Sequence, residues 1–401
     1  MTVLWNTLLF LYLLLLAPKL FLQRLRGRKH PALFQRLAFS LPPLPSFPGP
    51  LLWVHAVSVG EAKAADPLYK ALKIRFPTAT FLITTTTATG LEEAKRSLPG
   101  AGAYLYHPLD FSWTVRRWVR HFRPQHLFLI EGDLWPNLLH TLHHSGCQNH
   151  LVSAKLSPRS HSRLSRIPRL AKYLFAPLHH ICAQNETYAA RLALFSPHIT
   201  ITGNLKLDQT PSSTLAPLPS FSTPPITLAS THAPEEELLL DALAPLDIPL
   251  ILAPRHPERI PQILALLQRK NISYVLWRER HTYTNQSILL IDQLGQLAPC
   301  YRLSRLAILG GSFLPHIGGH NIFEPCLYGT PVFFGPHMEA QAELVHHILT
   351  HGAGRQLTLP ELRSAVHADL TPYKAATATL VHTLGGATKR TLSAIFDKNC
   401  S

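Results

Sequence analysis

Short apolar runs recur along this chain, each ending in glycine, threonine or charged residues and most followed by a helix-like stretch. In the first half they read LLWVHAVSVGE (51–61), TATFLITTTTATG (78–90), HLFLIEGDLWPN (126–137), HLVSAKLS (150–157), HHICAQ (179–184) and HITITGNLKLD (198–208). Residues 209–225 (QTPSSTLAPLPSFSTPP) then bring five prolines and no charge. After them the pattern restarts: ITLASTH (226–232), PLILAPRH (249–256), SYVLWRE (273–279), SILLID (287–292), LAILGGS (306–312) and PVFFGP (331–336), with helices expected over 234–244 and 258–270. Strands alternating with helices predict parallel sheets covered on both faces. The proline-rich stretch reads as a linker between two such lobes. Ligands of these sheets sit at the carboxyl ends of the strands, so the residues there are the ones to examine.

With 401 residues, 46% hydrophobic and 15% charged, the chain can fill two cores, which excludes a disordered or fibrous protein. Its net charge of +15 is lopsided. Residues 1–200 hold 23 Lys and Arg against 8 Asp and Glu, whereas residues 201–401 hold 15 of each. A basic first half points to an anionic partner there, either membrane headgroups, a phosphorylated substrate or nucleic acid. The segment 155–172 (KLSPRSHSRLSRIPRLAK) is basic throughout and contains no acid. Nucleic acid is disfavoured, because the chain lacks the interleaving of aromatic and basic residues found in such binders. Five scattered cysteines without a CxxC fit a reducing compartment, and no zinc-ligand spacing occurs among the 24 histidines.

Residues 1–18 carry no charge, and Arg24, Arg26, Arg28 and Lys29 follow closely. There is no basic segment before the apolar run and no small-x-small cleavage site after it, which argues against a secretory signal. The expectation is a membrane anchor over residues 1–22 with the remaining chain on the cytoplasmic side. A helix lying in the interface is the alternative.

Several strand ends carry chemistry. Glu61 closes the first run at the mouth of a helix, where a carboxylate acts as a general base or merely stabilises the helix start. Glu131 and Asp133 follow an apolar strand and suit either substrate binding or helix capping. Lys206 stands just before the linker, fit to meet an anion or simply exposed. Arg255 and His256, between a strand and the helix opening at Pro257, suggest an anion site. Gly310, Gly311 and Ser312 end another strand where backbone can approach a phosphate, and Gly318–Gly319 offers a second approach. Glu324 beyond them is suited to ribose hydroxyls.

GGS followed by GGHNIFEP and GTPVFFGP resembles the nucleotide-sugar site of two-lobed glycosyltransferases. With WVHAVSVGE (53–61), TTTTATG (84–90), EGDLWPN (131–137), TGNLKLD (202–208), ASTH (229–232), PRHPER (254–259) and GTPVFFGPHMEA (329–340) in order, the chain resembles the 3-deoxy-D-manno-octulosonic acid (Kdo) transferases of lipopolysaccharide assembly. That resemblance implies an α/β glycosyltransferase-B fold, two Rossmann-like lobes facing a cleft, with an N-terminal membrane-anchor helix. The lobes would span 23–208, binding acceptor, and 226–401, binding nucleotide sugar. It implies an inverting transfer of Kdo from CMP-Kdo to a lipid A precursor (lipid IVA) at the bacterial inner membrane. By motif match Glu61 would be the general base, with Glu131 and Lys206 assisting the transition state. Pro254, Arg255, Gly295, Gln296, Leu297, Asn321, Ile322, Phe323 and Glu324 would contact CMP, beside the phosphate approach at Gly311 and Ser312. No metal or other cofactor is expected, since cations and a helix dipole can serve the leaving phosphate. The family usually has threonine and glutamate where this chain has Gly132 and Asp133, glutamate at Gln296, and NPLEP for NIFEP. A UDP-sugar transferase of the same fold is the competing enzyme reading.

Overall fold

The computed structural model describes residues 2–25, 33–43, 48–209, 219–245, 247–284, 287–293 and 295–397. It divides into two compact units, one reaching from the N-terminus to Gln209 and resumed at Gly385, the other running from Thr210 to Leu384.

The first unit is built on seven parallel strands: β1 (Leu51–His55), β2 (Thr80–Thr85), β3 (Ala103–Tyr106), β4 (His126–Ile130), β5 (Gln148–Ala154), β6 (His180–Ala183) and β7 (Ile199–Ile201). They lie in the order β3-β2-β1-β4-β5-β6-β7. β1 is buried along its whole length and β4 from Leu127 to Ile130, because helices cover both faces. Alternation still divides the work. Leu51 and Trp53 of β1 enter one apolar cluster with Trp118, whereas Leu52 and Val54 enter the other with Tyr69 and Leu72.

The second unit repeats the plan with β8 (Ile226–Thr231), β9 (Leu250–Pro254), β10 (Tyr274–Leu276), β11 (Ile288–Leu290), β12 (Leu306–Leu309), β13 (Val332–Phe334) and β14 (Gly354–Gln356). Their order is β10-β11-β9-β8-β12-β13-β14, again all parallel. Helices at Glu235–Leu243 and Ile260–Arg269 match the expected ones, the latter preceded by a short turn at Pro257–Arg259. The expected α/β plan with two Rossmann-like sheets is therefore present. Most of the expected linker, residues 210–218, lies outside the described residues.

One expectation needs correcting, and another is not shown. The second lobe was expected to run to residue 401, but the chain from Gly385 onward belongs to the first unit. Ala387, Ala394 and Ile395 complete the cluster around Val54 and Phe128. Asp208 accepts the amides of Ala387 and Thr388 at the start of the helix Ala387–Leu392. Arg390 donates to the Thr202 carbonyl at 2.8 Å. Phe396 then packs edge-on against Phe76 and His126, and Arg75 pairs with Asp397 at 2.8 Å.

The membrane-anchor helix expected over residues 1–22 is not shown. Among the described residues no helix is long and apolar enough to cross a membrane. The helix Thr2–Leu25 is tied to the first unit through Asn6. Its amide nitrogen donates to Ser112 Oγ at 2.9 Å, and its oxygen accepts from Ser112 N at 3.2 Å and from Asn137 Nδ2 at 2.8 Å. Leu4, Leu8, Phe10, Leu11, Leu14 and Leu15 remain largely exposed. The side chains of the basic flank at 24–29 lie outside the described residues.

If the C-terminal segment is part of the first unit's core, Phe396→Ala should destabilise that unit by roughly 2–3 kcal/mol, since the ring is packed but not wholly buried. Urea unfolding followed by tryptophan fluorescence measures this, and an unchanged midpoint would contradict the packing.

Candidate active site

β1 and β4 are neighbours, yet the chain leaves them toward opposite edges of the sheet: β2 and β3 lie beyond β1, and β5 beyond β4. A crevice opens at their carboxyl ends for that reason. The three first-unit acids singled out from the sequence, Glu61, Glu131 and Asp133, fall there.

After β1 the chain turns through Ala56–Ser58 into the helix Val59–Arg75, and Glu61 occupies its first turn. The carboxylate reaches back, accepting from Val57 N at 2.7 Å and from Ser58 Oγ at 3.5 Å. It thus stabilises the helix start as well as facing the crevice. Burial pushes its pKa up; the Val57 amide opposes this, the charge of Glu131 adds to it, His55 opposes it, and Asp133 adds to it. The net result is a half-buried carboxyl that holds its proton above the ordinary glutamate range.

Glu131 ends β4 in the left-handed backbone region (φ 65°), and Asp133 does the same (φ 70°). For a residue with a Cβ this costs about 1–2 kcal/mol each. The surroundings offset it. Glu131 N donates to Val152 O at 2.9 Å, and its buried carboxylate is bracketed by the ammonium groups of Lys155 and Lys206. Burial alone would raise its pKa, but Lys206 and Lys155 outweigh that and hold it below the ordinary value. Lys206 is presented by the one-turn helix Leu205–Asp208, which Asn204 caps by accepting Lys206 N at 3.0 Å. Lys155, counted from sequence only as part of the basic surface segment, is the second ion-pair partner.

Asp133 Oδ2 accepts from Trp135 Nε1 at 2.9 Å and faces His55 Nε2 at 3.4 Å. His55 is buried, and its other nitrogen lies 2.9 Å from Thr84 Oγ1. Trp53 Nε1 donates to that hydroxyl at 2.8 Å. His55 Nδ1 also lies 3.1 Å from the Thr84 carbonyl oxygen, so the ring is held between Thr84 on one side and Asp133 on the other. His55 was not singled out from sequence. Its isolated place in an apolar strand gave no signal.

In the second unit the corresponding crevice lies where β8 and β12 adjoin. The close backbone approach expected at the glycines exists. A Cβ on Gly310 would stand 2.6 Å from Thr231 Cα. The amides expected to cradle a phosphate, however, are already used. Buried Glu235 accepts from Gly311 N at 2.6 Å, Ser312 N at 3.1 Å, Phe313 N at 3.0 Å and His232 N at 3.1 Å. This corrects the expectation for Gly311 and Ser312, because an internal carboxylate fills the cradle. Ser312 Oγ is likewise turned inward, donating to Leu309 O and accepting from Gly335 N.

Pro254 ends β9, and Arg255 beyond it is exposed, with its guanidinium in no ion pair among the described residues. Arg259 instead makes a forked pair with buried Glu236 at 2.8 and 3.1 Å. Asn321 is exposed and its side chain accepts Phe323 N at 2.9 Å. Ile322 and Phe323 are buried, so only their backbone is open to a ligand. Glu324 is half-buried at the start of the turn Pro325–Tyr328. Gly295 has a left-handed backbone (φ 81°), Gln296 precedes the helix Leu297–Leu303, and Leu297 packs beside Trp277 and Cys300. Among the described residues no group of three or more His, Cys, Asp or Glu side chains is arranged to hold a metal ion.

A family model described as 3-deoxy-D-manno-octulosonic-acid transferase (kdotransferase) matches residues 31–209. A 3-deoxy-D-manno-octulosonic acid transferase of Bordetella pertussis is 34% identical over 391 residues, covering 87% of this chain and 88% of the relative. One of Chlamydophila psittaci is 31% identical over 364 residues, covering 86% and 83%. Among solved structures, a UDP-GlcNAc 2-epimerase of Neisseria meningitidis overlays with a TM-score of 0.58 at 12% identity, covering 87% of this chain and all of that one. That likeness concerns the fold.

The bracketed carboxylate gives a pH signature. Glu131→Gln should lower stability at neutral pH by roughly 1–3 kcal/mol, discounted because both lysines are partly exposed. Since the native pKa of Glu131 is depressed, its contribution is complete above the unfolded glutamate pKa and is lost as pH falls through the native one. Urea midpoints of parent and variant should therefore converge below about pH 4. A gap independent of pH would contradict the ion-pair account.

Proposed function

The chain belongs to the 3-deoxy-D-manno-octulosonic acid (Kdo) transferase family and is a glycosyltransferase of lipopolysaccharide assembly; from that premise we propose that it moves Kdo from CMP-Kdo to a hydroxyl of a lipid A precursor, with inversion at the anomeric carbon. The observation that carries this reading is Glu61, a half-buried carboxyl with a raised proton affinity at the switch point of the first sheet. An acceptor hydroxyl attacks poorly until it loses its proton, and a base with a pKa moved toward neutrality takes that proton most effectively. One base and a single displacement give inversion.

Glu131 does not compete for this role, because two lysines hold it ionised. Its part is to fix the ammonium groups of Lys155 and Lys206 before substrate arrives. Fixed cations meet the carboxylate of an acidic sugar or a phosphate of the acceptor without reorganising. In the second unit, Arg255 and the backbone at Asn321–Phe323 hold the CMP portion, with Glu324 toward the ribose. Fixed cations serve the leaving phosphate, so activity in the presence of a chelator is expected to equal that without it.

The body works against an anionic membrane surface. Arg163, Arg166 and Arg169 are exposed on the helices Pro158–Ser165 and Pro168–Phe175 or between them, and they form no ion pairs among the described residues. The exposed side chains of Leu4, Leu8, Leu11 and Leu15 on the helix Thr2–Leu25 add an apolar surface suited to lying in the headgroup region. Each basic contact contributes about 1 kcal/mol near such a surface.

Mass analysis of the product made from CMP-Kdo and a defined lipid A precursor tests the reaction. Glu61→Gln should reduce turnover by at least about 100-fold while CMP binding, read by calorimetry, stays within about two-fold. In the parent enzyme the acid limb of kcat should lie above the ordinary glutamate range, because activity is lost as the raised pKa is crossed from above. Substantial turnover by the variant at neutral pH would remove Glu61 as the base.

Changing Arg163, Arg166 and Arg169 together to Gln should weaken binding to vesicles containing anionic lipid. The parent's own binding should fall as salt rises, since such contacts are screened over about 10 Å at 0.1 M. Equal flotation of parent and variant at low salt would exclude this surface.

A further inference from the structure

His232 follows β8 and His320 follows β12, 88 positions apart, yet their Nε2 atoms are 2.7 Å apart and the rings nearly parallel at 11°. Two neutral imidazoles can share such a contact only if one donates its Nε2 proton and the other accepts. Outward, the pair then offers one Nδ1–H and one Nδ1 lone pair. Neither Nδ1 has a partner among the described residues. One added proton would turn the pair into a cation with two outward donors.

The surroundings explain why that proton is missing and what would bring it. His256 lies edge-on to His232, with ring centres 5.3 Å apart, and Arg255 adjoins it. These basic groups oppose further charge. Burial and then His232, Arg255 and His256 lower His320 to about 4. His232 is lowered by burial first, with Glu235 working against this, His256 with it, Glu236 against it and Arg259 with it. The nearby acids are committed: Glu235 to four backbone amides, Glu236 to Arg259, Glu258 to His256, and Glu339 to His337. Four cationic or proton-accepting side chains therefore converge where the glycine-loop amides are unavailable to an anion.

We propose that His232 and His320, bridged Nε2 to Nε2 and flanked by Arg255 and His256, form the phosphate-binding element of the second unit, and that the pair takes up one proton when a nucleotide phosphate arrives. This rests on the reading of the second unit as the nucleotide-binding one. The phosphate supplies the negative charge that the committed acids cannot, so protonation of the pair becomes favourable only with ligand bound. Affinity then falls as pH rises.

Calorimetry of the full chain with CMP at pH 7.0–8.5, in two buffers of different ionisation enthalpy, counts the protons. In that range the phosphate itself, with a second pKa near 6, is already dianionic. The expected result is uptake approaching one proton, with Kd rising toward about ten-fold per pH unit. His232→Asn and His320→Asn should each abolish both the uptake and the pH dependence, with CMP binding weakened. Cytidine should show neither effect.

CMP binding without proton uptake in the parent would overturn the clasp and leave the nucleotide reading intact. Equal uptake with cytidine would overturn the assignment to phosphate. Inorganic phosphate supplies the independent arm: binding with proton uptake while CMP fails to bind would uphold the clasp and reject the nucleotide reading, whereas binding of neither would reject both. The parent's proton count stands even if one variant fails to fold.

Discussion

A carboxylate taken out of water must be matched where it sits, and each unit of this protein places one at the switch point of its sheet. In the first unit Glu131 is matched by two ammonium groups. They come from the segment after β5 and from the turn at 205–208, so a single charge joins three chain segments. In the second unit Glu235 is matched by backbone amides of the β8 and β12 loops. The cost of leaving either carboxylate unmatched is several kcal/mol, which fixes these loops more firmly than turn propensity could. The neighbouring groups take their properties from this arrangement. Glu61 feels the charge of Glu131, and His232 sits on the loop that Glu235 pins.

The sheets could be read from sequence because strands covered on both faces become continuous apolar runs between turn signals. The exceptions are the short edge strands. β3 (Ala103–Tyr106) has only one fully buried residue, and β14 (Gly354–Gln356) is three residues long with arginine in the middle. Neither carries enough apolar periodicity to stand out. The C-terminal segment was assigned to the wrong unit for a related reason, since its helices carry no mark of which sheet they cover.

At the candidate site, Glu61, Glu131 and Lys206 were legible as polar residues ending apolar strands, and the last two form an ion pair. What pairs with what was not legible. Lys155 looked like one more cation in a basic run. Glu235 stood in a run of three glutamates that reads as an ordinary acidic helix start, and only its burial separates it from Glu237, which pairs with Arg269. The glycine loop was expected to face an anionic ligand, and it does face a carboxylate, but one from its own chain. His232 and His320 meet only through the adjacency of β8 and β12. Contacts between residues so distant in sequence follow from strand order, not from local pattern.

The return of the chain to the first unit has a consequence for how the gene can be divided. Residues 210–384 form one uninterrupted reading segment, so the second unit can be expressed by itself with two cuts. The first unit is encoded in two pieces. A stop codon placed at the linker would strip Ala387, Ala394 and Ile395 from its core and leave Asp208 without the helix it caps. Producing it alone calls for splicing the codons from Gly385 onward directly behind those of residue 209, across a short designed loop.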